Sequence, residues 1–237
     1  MYNHLLFDAD GTLYDFEKAQ EFALSSLFNE LGLGASSTTL HTYNDVNQSL
    51  WKMFETGLIT LPELKIERFK RFFTIMGLQT DPFEASLRYL EFLGKSDHIY
   101  QWTVPLLTSL RSKGYRISLI TNGIASVQRG RLAATHTIHL YDHIYISEEL
   151  GIQKPDPEFF SHAFPDESEK KRALIIGDSL SSDIAGGNAA NIDSCWFNPS
   201  KETPRMAIPT YEINSMDELP TLLARLNQRF QLIQHQK

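Results

Sequence analysis

Leu5-Leu6-Phe7-Asp8-Ala9-Asp10-Gly11-Thr12 is a short apolar run that ends at two acids, a glycine and a hydroxyl. Consecutive apolar residues without polar alternation read as a strand buried on both faces, and the change at Asp8 marks its carboxyl end. Such strands belong to parallel sheets covered by helices. From Val104 onward the spacing predicts strands over 115–120, 143–146, 173–176 and 195–197. Between and after them it predicts helices over 105–113, 125–134, 157–164, 182–190 and 216–230. The alternation predicts an α/β fold with a Rossmann-like parallel-sheet core.

Between the first strand and Val104 the period is helical. Phe22, Ala23, Leu27 and Leu31 precede Gly32, and Leu40, Tyr43, Leu50, Trp51 and Phe54 precede Gly57, as in two helices with glycine stops. Thr60-Leu61-Pro62-Glu63 and Asp81-Pro82-Phe83-Glu84 each place a capping side chain three residues before a Glu, with proline in the first turn. The helices they open carry Leu64, Phe69, Phe72, Phe73 and Met76, then Leu87, Leu90 and Leu93 before Gly94. The expected organisation is an α/β catalytic core of residues 1–14 and 101–237, with a helical cap domain of residues 15–100 inserted after the first strand. Residues 13–16 and 95–103, which join the two, are expected to act as hinges. At helical spacing, Phe16, Trp51, Phe54, Phe69, Phe72 and Phe73 read individually as core residues rather than as platforms for a substrate.

Composition narrows the function. In 237 residues there are 22 Lys+Arg against 29 Asp+Glu, a net charge of -7. With no basic run, the chain lacks the footprint of a nucleic-acid polymer binder. The N-terminus has no basic segment ahead of a long apolar one, so no signal peptide is expected. No stretch approaches the ~18 apolar residues needed to span a bilayer, so no membrane insertion is expected. The single cysteine, Cys195, cannot form an intramolecular disulfide and sits in an apolar strand as a small core residue. These features favour a cytoplasmic protein; the sequence leaves the oligomeric state open.

Three of the strands end in polar residues: the first in Asp8 and Asp10, the second in Thr121 and Asn122, a later one in Asp178 with Asp183 beyond. Ligands of open parallel sheets bind outside the carboxyl ends of the strands, so these side chains are expected to meet at one edge. Carboxylates brought together repel and need a positive partner. Oxygen ligands favour Mg2+, and Lys154 is a candidate second cation. Gly11 permits an unusual backbone angle, and Thr12 can bond a carboxylate or phosphate oxygen. Asp15, Asp81 and Asp217 read as caps. His136, His139 and His143 lack a zinc spacing and read as a polar connection. Gly186-Gly187 lacks the spacing of a dinucleotide fingerprint.

Asp8-Ala9-Asp10-Gly11-Thr12-Leu13, Ile120-Thr121-Asn122-Gly123, Lys154-Pro155 and Gly177-Asp178-Ser179-Leu180-Ser181-Ser182-Asp183 match, in order, the four motifs of the haloacid dehalogenase superfamily. The chain resembles its phosphohydrolases over nearly its whole length, and the helical insertion resembles the family's helical cap. The resemblance implies Asp8 as nucleophile and Asp10 as general acid/base. It implies that Thr121 and the Asn122 backbone bind phosphate, that Lys154 stabilises charge, and that Mg2+ is held by Asp8, Asp178 and the Asp10 carbonyl. Asp183 would stand behind them, orienting Lys154 or a metal-bound water. One departure is Asn191, where relatives often have glycine; asparagine tolerates positive φ, so the turn is expected to persist.

An acid at Asp10 also bears on the branch of the family. Halide leaves without a proton, and the dehalogenases typically lack an acid at that position, so the chain resembles the phosphatases. Its Thr121–Leu132 stretch with Gln128 and Arg131, together with Ile146-Ser147-Glu148-Glu149-Leu150-Gly151 and Gln153-Lys154-Pro155, resembles the bacterial pyrimidine 5′-nucleotidases of the superfamily. The substrate implied is a small-molecule phosphate ester, a nucleoside 5′-monophosphate. The alternatives are a sugar-phosphate phosphatase resembling the sialic acid 9-phosphate phosphatases, and a non-catalytic phosphate-ester binding protein.

Overall fold

The structure, a computed structural model, describes residues 1–164 and 166–234, with residues 229–234 as backbone alone. The chain divides into two compact units, Met1–Phe16 with His98–Lys237, and Glu17–Asp97. In chain order the elements are β1 (His4–Asp8), α1 (Phe16–Glu30), α2 (Ser37–Glu55), α3 (Leu61–Met76), α4 (Pro82–Gly94), α5 (Thr103–Ser112), β2 (Arg116–Thr121) and α6 (Ala125–Ala134). There follow β3 (His143–Ile146), α7 (Ser147–Leu150), α8 (Pro157–Ser161), β4 (Ala173–Gly177), α9 (Ala185–Ala190), β5 (Asp193–Phe197), β6 (Tyr211–Ile213) and α10 (Leu219–Gln234).

In the first unit the strands form a six-stranded sheet in the order β3-β2-β1-β4-β5-β6, and every neighbouring pair is parallel. β1 lies between β2 and β4, and its side chains alternate between two cores. Leu5 and Phe7 pack with Ile117, Leu119, Leu174 and Ile176 beneath Leu107 of α5 and Leu223 of α10. Leu6 packs with Ile120 and Ile175 against Phe159 and Phe160 of α8. Each such side chain contributes roughly 1.5–3 kcal/mol of burial. Packing on both faces is why the strand reads as an unbroken apolar run. The register aligns Asp8 with Ile120 and Phe7 with Ile176. Thr121 and Asp178 therefore emerge beside Asp8 at one edge.

Several elements differ from the sequence expectation. β6 was not expected: it is only Tyr211–Ile213, with Glu212 exposed at its middle, too short for a periodic signal. α7, a single turn, was not expected either. α8 stops at Ser161, and tighter i to i+3 bonds, Ala163 N to Phe160 O and Phe164 N to Ser161 O, carry the chain on. The helix expected over 182–190 opens as a wide π turn over Leu180–Ile184 and becomes α-helical at α9. Ahead of α10 a 3-10 turn, Met216–Glu218, is capped by the Ser215 hydroxyl, so the cap is not Asp217. Asn191 closes α9 at φ 57° in the left-handed region. Cys195 is fully buried, and burial pushes its thiol up to about 12, as suits an inert core residue.

The second unit holds α2, α3, α4 and α1 beyond its first residue. Thr60 caps α3 as expected: Glu63 N donates to Thr60 Oγ1 at 3.4 Å while Thr60 N donates to Glu63 Oε2 at 2.8 Å. Asp81 caps α4 through Phe83 N at 2.8 Å. Phe69, Phe72 and Phe73 are buried, in a cluster where Tyr43 meets Phe69, Phe72 and Tyr89. Trp51 and Phe54 are half-buried on Val46, Leu50 and Leu64, and Phe16 is also half-buried. Among the described residues no helix is long and apolar enough to cross a membrane.

Candidate active site

Asp8 is the last residue of β1 and only 7% exposed. Lys154, 1% exposed, comes from the segment between α7 and α8. Its Nζ donates to Asp8 Oδ1 at 2.6 Å, to Asp183 Oδ1 at 2.7 Å and to the Ile120 carbonyl at 3.3 Å. An ammonium has three protons, so all are engaged. The Asn122 side chain holds the lysine from behind: its Nδ2 donates to the Lys154 carbonyl at 2.8 Å, and its Oδ1 accepts from Lys154 N at 2.8 Å. The expectation assigned a role to the Asn122 backbone; its side chain is committed to placing Lys154.

Asp178 follows β4, and its Oδ1 accepts from Thr12 Oγ1 at 3.2 Å. The indole N–H of Trp196, on β5, donates to the Asp178 carbonyl at 2.8 Å. Asp183, fully buried within the π turn, also accepts from Ser179 N at 3.1 Å through Oδ2. Two glycines make room. Gly11, at φ +86°, faces Asp178 so closely that a Cβ would lie 2.5 Å from its Oδ2, and a Cβ on Gly177 would overlap the Asp183 carboxylate.

Asp8, Asp178 and Asp183 each contribute an oxygen to a cluster whose members lie within 4.8 Å of one another. Burial, and then the charge of Asp183, hold the Asp8 carboxyl well above the usual range, against the opposing pull of Lys154. The same two causes push Asp178 up to about 7. Burial would lower Lys154, but Asp183 and Asp8 outweigh it and raise its pKa. Three carboxylates facing one ammonium leave an excess of negative charge, and their hard oxygen donors fit a divalent cation such as Mg2+.

The Asp10 carboxylate does not join this cluster. Its Oδ2 accepts from Gln128 Nε2 at 2.7 Å, and its Oδ1 accepts from Arg131 Nη1. Both donors lie on α6, which β2 feeds directly. Gln128 Nε2 also donates to Thr121 Oγ1 at 3.3 Å, and Gly123 N donates to the same hydroxyl at 3.0 Å. A Cβ on Gly123 would overlap the Gln128 amide. The Arg131 guanidinium lies 4.7 Å over the Tyr14 ring.

A family model described as haloacid dehalogenase-like hydrolase matches residues 2–191. The chain belongs to the haloacid dehalogenase-like hydrolases. It is 38% identical over 221 residues to the pyrimidine 5′-nucleotidase PynA of Streptococcus pneumoniae, covering 92% of this chain and 93% of that protein. It is 30% identical over 224 residues to the pyrimidine 5′-nucleotidase YjjG of Escherichia coli, covering 93% and 97%. A crystal structure of the putative hydrolase YfnB of Bacillus subtilis, described as bound to magnesium and as revealing interdomain movement, superposes with a TM-score of 0.86 at 34% identity, covering 94% of this chain and 99% of that one.

Within this haloacid dehalogenase-like chain, Asp8, Lys154, Asp178 and Asp183 come together, Thr121 and Asn122 flank them from β2, and Asp10 turns toward α6. His136 takes a left-handed turn at φ 54°, His139 lies in the tight turn Ile138–Leu140, and His143 opens β3. The expectation missed the contacts of Gln128 and Arg131. Their sequence signal is two polar residues three apart beside Val127 and Leu132, on the face of α6 that is buried.

Proposed function

We propose that the protein is a phosphomonoester hydrolase that uses Mg2+ and acts on nucleoside 5′-monophosphates, with pyrimidine nucleotides preferred. The observation that carries the phosphoryl chemistry is the Asp8 carboxylate at the carboxyl edge of the sheet, 2.6 Å from the Lys154 ammonium and within an acidic trio. The substrate class rests on the likeness to PynA and YjjG, over more than nine-tenths of each.

In this reading Asp8 attacks phosphorus in line and the ester P–O bond breaks, leaving an aspartyl-phosphate; water then attacks that phosphorus and returns free Asp8. Asp10 gives a proton to the departing alcohol and later takes one from the attacking water. Lys154 offsets the negative charge between an anionic nucleophile and an anionic substrate. Thr121 and the Asn122 backbone would hold phosphate oxygens. Asp8, Asp178 and the Asp10 carbonyl would hold Mg2+, with Asp183 behind them; bound there, the ion supplies charge neutralisation for the transferring phosphoryl group. Residues 1–14 and 101–237 would be the catalytic core and residues 15–100 its helical cap.

The test is phosphate release from a panel of nucleoside monophosphates and sugar phosphates, with Mg2+ or EDTA and with Asp8→Asn as control. The expected result is metal-dependent release, abolished in Asp8→Asn and strongest on UMP, dUMP or dTMP. A large kcat/KM preference for sugar phosphates would overturn the nucleotide assignment while keeping the mechanism. Undiminished turnover by Asp8→Asn would overturn the mechanism.

A further inference from the structure

The Asp10 carboxylate is anchored through both oxygens to α6. A carboxylate only accepts, so the Gln128 amide presents its NH2, and that group has two protons. One serves Asp10 Oδ2 at 2.7 Å and the other Thr121 Oγ1 at 3.3 Å. Thr121 Oγ1 takes a second donor, Gly123 N, at 3.0 Å. With both acceptor positions occupied, the Thr121 hydroxyl has only its own proton to offer. A phosphate oxygen, which only accepts, is the partner that this leaves.

Arg131 fixes the other oxygen. Its side chain is completely buried while that of Asp10 is 28% exposed. Among the described residues its Nε and Nη2 meet no acceptor. A buried guanidinium without its carboxylate is strongly unfavourable, so Asp10 is tethered. The Tyr14 ring beneath the guanidinium, whose hydroxyl lies 2.7 Å from Thr137 Oγ1, keeps the arginine from turning away.

We propose that Gln128 and Arg131 are positioning residues: together they fix the plane of the Asp10 carboxylate, and Gln128 also turns the Thr121 hydroxyl into a committed donor toward phosphate. This rests on the reading of Asp10 as the acid that protonates the leaving group. Gly123 belongs to the same device, because only a residue without Cβ leaves room for the Gln128 amide.

Two esters separate positioning from a general structural role. Nitrophenolate leaves without a proton at neutral pH, whereas a ribose 5′-oxygen needs one, so a misplaced acid harms the nucleotide far more. kcat/KM for UMP and for p-nitrophenyl phosphate reports the first displacement in both. Arg131→Lys is expected to lose on the order of 10- to 100-fold on UMP, as misplacement by about an ångström does, and less than about threefold on p-nitrophenyl phosphate. Gln128→Glu, near-isosteric but without donors, is expected to show that selective loss plus a smaller one common to both esters, from Thr121. Adding Arg131→Lys or Gln128→Glu to Asp10→Asn is expected to leave the UMP-to-nitrophenyl ratio where Asp10→Asn alone puts it.

Equal losses on both esters in both variants, or a further change of the ratio in the Asp10→Asn background, would overturn the proposal. If Asp10→Asn itself leaves the ratio unchanged, the acid/base reading fails, and the positioning proposal fails with it. Circular dichroism and melting establish that each variant is folded. Should Arg131→Lys not fold, the Gln128→Glu ratio decides.

Discussion

Replacing Lys154 with methionine keeps the length of the buried stem and removes the one ammonium among three carboxylates. Lys154 Nζ is bonded to Asp8 and Asp183 at 2.6 and 2.7 Å, and the three acids lie within 4.8 Å of one another. A unit charge 2.7 Å away attracts by about 6 kcal/mol at an effective dielectric constant near 20, and protonation of a carboxyl already held above its usual range returns part of that loss. That agrees with the roughly 3–5 kcal/mol lost when one partner of a buried ion pair is removed. Urea denaturation in EDTA at pH 7 is therefore expected to show Lys154→Met destabilised by about 3–5 kcal/mol. Mg2+ is expected to restore more stability to the variant than it adds to the wild type, because it supplies positive charge to the same oxygens. In the Mg2+ form, kcat/KM is expected to fall by about 10²–10³, the usual effect of losing one donor aimed at developing charge. A stability loss under about 1 kcal/mol, with kcat/KM within tenfold of wild type, would refute the assignment of Lys154 as the counter-charge of the cluster.

Asn122→Ala removes both bonds that hold the Lys154 backbone; a loss of about 1–3 kcal/mol in urea denaturation and a lowered kcat are expected, and unchanged kcat would show that the lysine needs no such support. Burial, and then Arg116, lower His4 to about 3 from 6.5, so the unfolded chain takes up a proton first on acidification. The folded state is then expected to lose up to about 1.4 kcal/mol per pH unit as the pH falls from ~6.5 toward ~3. Denaturation of wild type and His4→Gln at pH 7 and 5 checks this, since the variant should lack that component. Thr60→Ala removes the cap of α3 and is expected to cost about 1 kcal/mol in the unfolding of the helical unit, with phosphate release from p-nitrophenyl phosphate unchanged.

The parallel sheet was legible because β1, β2 and β4 are buried on both faces and leave apolar runs, broken only by Ser118 in β2, that end within a residue of Asp8, Thr121 and Asp178. β6 was illegible because the same signal needs length, and Tyr211–Ile213 offers one fully buried residue, Ile213, and one partly buried, Tyr211. Helix starts were legible at Thr60 and Asp81, where the caps are local in sequence. At 182–190 the start was misplaced: the π turn is capped by Ser179 and holds Asp183 against Lys154, a contact from outside the segment that no local pattern announces. The acids of the site stood out at strand ends. Gln128 and Arg131 did not, because polar residues on a helix look solvent-facing until their partner, Asp10, is brought from more than a hundred residues away.

The insertion immediately after β1 has a consequence for the order in which the molecule is made. Glu17–Asp97 contains helices whose contacts are near in sequence, and such elements form quickly. β1 leaves the ribosome before them, yet both of its neighbours, β2 and β4, are encoded beyond residue 97. The first-made strand thus waits as an unpaired apolar segment while a complete helical unit folds behind it, and Asp8 meets Asp178 only when most of the polypeptide has been synthesised. The acidic trio includes Asp183, which lies beyond β4, so no nascent fragment that ends before that residue can assemble it.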